Sequence, residues 1–380
     1  MKRKHILNVL TFVATILILF IFFEFGLRIF YPQLLLKRNH IEASTPIFLE
    51  GENIPWQLKP LTESRQRDIF GEYDVSVKIN SFGLRDNDYN TRLSPNVKKI
   101  LLLGDSMTFG YGVEQENSYP EILETLAGGN YTFINSGVGG YSPDVEYIYL
   151  KEKGLKLNPD IVILGLYIGN DITDLESNEW VELDEKGLPK KIVSNQYYID
   201  DQNRMRTKGD ENVIKNNPFP VLYGINVFLS YKSHAYIFLK ERSKFLFYRL
   251  TGQEEPIQKT IYGNYYDKNL KLSWKNVESI LMEINSLVNE NGKDFVVVLI
   301  PSRDQFQEEK DNTYNFANPN RRLMMFGREN NIIIMDLLPY FKENSNPRDF
   351  YYKKDVHLNR NGHKFLAEKI YEELKNLDIV

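Results

Sequence analysis

The chain has 380 residues, enough for one large domain or two smaller ones, each with a substantial core. Hydrophobic residues make up 42% and charged residues 26%, an ordinary globular balance, and a net charge of −4 offers nucleic acid no broad basic surface. With no cysteine, the chain excludes disulfides, thiolate metal sites and a cysteine nucleophile.

The N-terminus opens on the basic run Met1-Lys2-Arg3-Lys4-His5. Ile6 to Phe23 then carries no charge, and only Asn8, Thr11 and Thr15 are polar. About 17–25 such residues cross a bilayer as a helix. No small-x-small cleavage site follows, so the reading is an uncleaved anchor (residues 1–32) in preference to a removed signal peptide or a buried helix. The positive-inside rule keeps Lys2 to Lys4 cytoplasmic and places the rest outside, a single-pass arrangement.

Residues 33–95 read as an N-terminal extension with several turns. Asp74 to Asn80 alternates polar and apolar, the mark of a half-buried strand, and Ser81 to Asp86 reads as a turn.

From residue 96 to 380 the pattern is that of an α/β domain. Five short apolar runs, Lys99–Leu103, Thr132–Asn135, Ile161–Leu166, Phe295–Ile300 and Ile332–Asp336, alternate with longer segments of helical pattern. The helices are expected over Glu116–Leu126, Val145–Lys153, Trp274–Val288 and Asn361–Leu374. Runs apolar on both faces suit a five-stranded parallel sheet covered by helices on each side. Such sheets bind ligands beyond the carboxyl ends of their strands.

Residues 175–265 interrupt this alternation as an insertion. Its first part is polar. In Val227 to Leu250, Phe228, Tyr231, Ala235, Phe238, Phe245 and Leu246 fall on one helical face, with Lys232, Lys240, Arg242, Lys244 and Arg249 among them. This is a cap helix on the main domain or a lid or membrane-surface helix beside the anchor.

The first strand leads into Gly104-Asp105-Ser106-Met107-Thr108. A serine where strand turns to helix exposes its hydroxyl at the open end of the sheet, beside backbone N–H groups that attract an anion. The same position also serves as a simple N-cap. A serine nucleophile needs a base, and the base an orienting acid. Of five histidines, His5 flanks the anchor, His40 follows it and His234 sits in the insertion. His357 follows the last strand within Asp355-Val356-His357, where the Asp can reach the imidazole; His363 opens the last helix and reads as structural.

The second strand leads into Asn135-Ser136-Gly137-Val138-Gly139-Gly140-Tyr141-Ser142. This is no dinucleotide fingerprint, since the third glycine would fall on Ser142. Glycines here let backbone N–H groups approach a substrate closely. The third strand leads into Gly169-Asn170-Asp171, whose Asn amide can donate toward the same point, although Gly-Asn-Asp is also a common loop.

Taken together, these four blocks, in this order and each beyond a strand, resemble the SGNH (GDSL) hydrolase family over roughly residues 98–174 and 290–375. The resemblance implies a flavodoxin-like three-layer α/β/α sandwich. It implies Ser106 as nucleophile, His357 as base and Asp355 as its partner, with the Ser106 N–H, the Gly140 N–H and the Asn170 side chain as oxyanion hole. Many members place two residues between Asp and His. The single Val356 is similar to the branch of polysaccharide and peptidoglycan O-acetyltransferases and esterases, and Asn80 to Asp86 resembles anchored bacterial members.

The expected activity is therefore hydrolysis of an ester, or O-acyl transfer to a cell-envelope glycan. A catalytically idle glycan-binding or assembly protein on the same fold is the third reading. The expected partners are an ester or O-acylated glycan and the membrane, with no nucleic acid. No cofactor or metal is called for by this chemistry.

Overall fold

A computed structural model describes residues 2–31, 46–68, 71–88, 97–208, 220–251, 261–263, 266–307 and 314–380. His40 and parts of the extension and insertion lie outside the described residues. The chain forms two compact units, one of Met1–Asn39 with Thr207–Gln258, the other of His40–Arg206 with Lys259–Val380.

In chain order, α1 spans Lys2–Phe30, followed by strands β1 (Phe48–Glu50), β2 (Trp56–Leu58), β3 (Thr62–Arg67) and β4 (Asp74–Ile79). Then come β5 (Lys98–Gly104), α2 (Ser106–Phe109), α3 (Tyr119–Leu126), β6 (Tyr131–Asn135), α4 (Pro143–Glu152), β7 (Ile161–Tyr167) and α5 (Asp171–Asp174). The insertion holds β8 (Asn178–Leu183), β9 (Pro189–Ser194), β10 (Tyr197–Ile199), β11 (Met205–Thr207), α6 (Pro220–Lys232) and α7 (His234–Thr251). The chain closes with α8 (Lys268–Glu290), β12 (Asp294–Ile300), α9 (Asn318–Asn330), β13 (Ile333–Asp336), α10 (Leu338–Lys342) and α11 (Arg360–Asn376).

Five strands form one parallel sheet in the order β13-β12-β7-β5-β6. Side chains alternate across a strand, so the apolar runs feed two separate cores. Leu101, Leu103, Val162, Leu164, Val297 and Leu299 face one core, with α4 and α8. Ile100, Leu102, Ile161, Ile163, Val296 and Val298 face the other, with α3 and α11. Helix α8 shows the matching stripe: Leu270, Trp274, Val277, Leu281, Ile284 and Val288 are buried at helical spacing. Each such aliphatic side chain contributes about 1.5–3 kcal/mol by leaving water.

The extension packs into the same unit. β1 pairs with β2 and β3 with β4, both antiparallel, and β4 turns Val75, Val77 and Ile79 into the first core. The insertion departs from the sequence reading in two ways. Its polar first part forms two-stranded sheets, β8 with β9 and β10 with β11, and among the described residues of the insertion α-helix occurs at 220–251 alone. The single amphipathic stretch is two helices broken at Ser233, whose hydroxyl accepts from Tyr236 N at 3.0 Å at the start of α7. Of the expected face, Ala235 is buried while Phe228 and Leu246 are exposed. Helix α1 is long and apolar enough, over Leu10–Phe30, to cross a membrane by length and composition.

Candidate active site

The strand order places the segment after β5 between those after β6 and β7. Three of the four sequence blocks therefore converge at one end of the sheet. Asp105 caps α2 by accepting from Met107 N at 2.8 Å, which fixes the turn that presents Ser106. Gly104 has φ +154°, and a Cβ there would lie 2.0 Å from Thr108 Oγ1. Gly137 is required by proximity, since a Cβ would lie 2.3 Å from Phe109 N. The glycine segment thus lies directly on the backbone of α2.

The fourth block arrives from the C-terminus. His357 Nε2 lies 2.8 Å from Ser106 Oγ, and His357 Nδ1 lies 2.5 Å from Asp355 Oδ1. Asp355 Oδ1 also accepts from His357 N at 3.0 Å, so the single-residue spacing folds the acid back onto its own histidine. The His357 and Asp355 side chains keep 16% and 21% of their surface, so solvent and small ligands reach them. Burial pushes the Asp355 carboxyl up, but the hydrogen bonds and charge of His357, with a bond from Tyr73, hold it down at about 2. Asp355 is therefore ionised at neutral pH and faces Nδ1, leaving Nε2 toward the serine.

The two oxyanion candidates contributed by other loops are placed as follows. Asn170 Nδ2 donates to Asp174 Oδ2 at 2.6 Å, while its Oδ1 is buried without a partner among the described residues. In the glycine segment, Gly139 is the residue whose missing side chain faces Ser106, 3.9 Å from Ser106 Cβ. Gly140 has φ +79° and is backed by the Trp56 ring. His363 is fully buried, accepts from Tyr119 N at 3.4 Å and is pushed down to about 3 by burial, a structural role.

Several residues that hold this constellation were not visible as functional in the sequence. Tyr73 donates to Asp355 Oδ2 at 3.2 Å, and the Tyr111 ring lies 4.3 Å from the imidazole, tilted by 31°. Glu72 accepts from Lys353 N and Lys354 N at 2.8 and 2.9 Å. On the other side, Arg303 Nη1 donates to the carbonyls of Tyr352, Lys353 and Asp355 at 2.9, 3.0 and 3.1 Å. Trp56 Nε1 donates to Gly139 O at 3.1 Å. Arg85, in the expected turn, is buried and donates to the carbonyls of Phe109, Gly110, Val113 and Ser76. It thereby ties the end of α2 to β4. Only the motif Asn80 to Asp86 signalled this segment.

Beneath the site lie buried carboxyls. Burial pushes up Asp105, Asp144, Glu146 and Asp171, and raises Asp174 to about 7. Glu146 has no hydrogen-bond partner for either oxygen among the described residues. Low dielectric and mutual repulsion favour the neutral form of such groups.

Residues 263–379 match the family model described as SGNH hydrolase-like domain, acetyltransferase AlgX. No curated protein sequence matches the chain. Among solved structures, the chain is similar to the acetyl xylan esterase AlAXEase at 13% identity, over 73% of this chain and 99% of that one, with a TM-score of 0.39. A lipolytic protein of the G-D-S-L family from Veillonella parvula is similar at 14% identity, over 73% and 99%, with a TM-score of 0.39. The lipase/acylhydrolase from Enterococcus faecalis is similar at 13% identity, over 74% and 96%, with a TM-score of 0.38.

Proposed function

We propose that this chain, whose residues 263–379 match an SGNH hydrolase-like domain, is a serine-dependent ester hydrolase of the SGNH/GDSL family working through Ser106, His357 and Asp355. The observation that carries this reading is the unbroken run of contacts from Asp355 through His357 to Ser106 Oγ.

In this reading His357 Nε2 takes the Ser106 proton as Oγ attacks an ester carbonyl. The C=O π pair moves onto oxygen, and the Ser106 N–H, the Gly140 N–H and the Asn170 amide hold the resulting oxyanion. Each such donor is worth about 2.7–4 kcal/mol in comparable enzymes. Collapse expels the alcohol, which takes its proton from His357. Water, deprotonated by the same imidazole, then attacks the acyl-serine and releases the acid. Ionised Asp355 stabilises the imidazolium in both halves.

Ser106→Ala should abolish turnover of a short-chain aryl ester while leaving circular dichroism unchanged; undiminished turnover would overturn the proposal.

A second reading is O-acyl transfer to a cell-envelope glycan, with a sugar hydroxyl replacing water. The match of residues 263–379, which include Asp355 and His357, to a domain described as an acetyltransferase favours it. Mass analysis of envelope glycans with and without the protein separates the two. In both readings α1 anchors the chain, with Lys2 to Lys4 on the cytoplasmic side and the catalytic unit outside.

A further inference from the structure

The unit formed by α1, α6 and α7 is built around a polar clamp. Glu24, just past the uncharged stretch of α1, accepts from Ser233 Oγ at 2.8 Å, His234 N at 3.1 Å and Ala235 N at 2.7 Å. Its carboxylate therefore caps the N-terminus of α7 from another helix. Arg28, paired with Glu24 at 2.7 Å, donates to Lys232 O at 2.7 Å, the end of α6. The Phe23 and Tyr31 rings meet the Phe238 ring edge-on at 5.7 and 6.4 Å. Tyr236 donates to Asn226 at 2.6 Å and ties α7 to α6. The helix pair is thus fastened to α1 over residues 23–31.

That position has a meaning on the anchor reading. Ile6 to Phe23 is about 27 Å of helix, nearly the full hydrocarbon thickness, so residues 24–31 fall at the headgroup boundary. Helix α6, whose last residue is held there by Arg28, exposes Val221, Leu222, Ile225 and Phe228, at 73%, 64%, 49% and 61%. Their spacing puts them within about a third of the helix circumference. On α7, Leu239 and Leu246 share a face and are half exposed, with Arg242 between them. Lys232 continues the α6 face, and Lys240 and Arg242 are also exposed.

We propose that α6 and α7 lie in the outer membrane–water boundary beside α1, with the Val221–Phe228 face among acyl chains and the basic residues at anionic headgroups. The proposal rests on the anchor reading of α1. The junction of α6 and α7 is fastened to a lipid-facing helix at its headgroup end, an exposed apolar face on helices so held is suited to the same lipid, and long basic side chains reach from such a face to headgroups.

The absence of cysteine makes the test direct. Full-length single-cysteine variants Leu222→Cys and Phe228→Cys carry an environment-sensitive fluorophore in vesicles of equal parts phosphatidylglycerol and phosphatidylcholine. Ile18→Cys on α1 and Val181→Cys on β8 serve as references. Spin-labelled acyl chains should quench positions 222 and 228 several-fold more than 181, approaching position 18. Quenching at 18 alone, with 222 and 228 matching 181, overturns this proposal and leaves the anchor standing; a protein partner would then be the occupant. No quenching at 18 overturns both. Leaving out phosphatidylglycerol should weaken quenching at 222 and 228, and unchanged quenching overturns the headgroup assignment.

Discussion

Replacing Arg303 with Met tests how the loop bearing Asp355 and His357 is held. A single guanidinium nitrogen, Nη1, meets three carbonyls at 2.9–3.1 Å, of Tyr352, Lys353 and Asp355. One nitrogen carries two hydrogens, so the three contacts are worth about two charge-assisted bonds, each roughly 1.5–3 kcal/mol net. The contact to Lys353 O is exposed, and water replaces part of it after substitution. With that replacement the loss is about 2 kcal/mol, below the roughly 3–6 kcal/mol of two bonds lost outright. Since about 1.4 kcal/mol is tenfold, the ratio of ordered to open loop should fall roughly 30-fold, lowering activity by at most that factor. Met keeps much of the apolar stem, and the five-stranded core does not depend on this loop, so thermal unfolding should barely move. The assay is steady-state hydrolysis of an aryl acetate alongside a thermal melt. The loss should fall on kcat and largely spare KM, because on the proposed mechanism the loop positions the base more than it binds substrate. Arg303→Lys should recover part of the rate. Unchanged kcat, or a loss explained by global unfolding, would refute this account of the loop.

Other expectations follow from the same geometry. The buried carboxyls bind protons in the folded chain that the unfolded chain has released, so stability should decrease as pH rises from about 4 toward 7. The slope is about 1.4 kcal/mol per pH unit for each group titrating. Asp174, raised to about 7, falls in that window, while Asp355, held at about 2, loses its contribution only as pH drops below about 4. Melting temperature should be higher at pH 5.5 than at pH 7.5, with the gap narrowed by Asp174→Asn; the opposite order contradicts the assignment. Gly137→Ala sets a methyl 2.3 Å from Phe109 N, backbone that cannot swing aside. It should cost about 1–3 kcal/mol or more and disturb the Ser106 turn, read as a lower denaturation midpoint with reduced activity. A stable, fully active Gly137→Ala would show that the glycine segment does not pack as described.

The sheet was legible because its strands are apolar on both faces, a pattern that only a doubly covered parallel sheet sustains. Ser106, Asp355 and His357 were legible because each sits just beyond a strand or in the loop after the last one. What surrounds them was not. Glu72 and Tyr73 reach the loop bearing Asp355 and His357 from 281 and 282 residues away, and nothing local marks either residue. Arg85 lay in a segment that read as a turn, and its burial appears only once four carbonyls converge on it. Strands β8 and β10 were hidden because they are largely exposed, which weakens any alternation. The break between α6 and α7 arises from Ser233 and Glu24, a contact across 209 residues.

Reaction of the purified full-length chain with a fluorophosphonate, read by peptide mass, asks most directly whether this serine is activated. The account predicts a single adduct on the peptide containing Ser106 and its near-disappearance in His357→Ala at unchanged fold. A folded protein that takes up no phosphonate, or takes it up elsewhere, would contradict it.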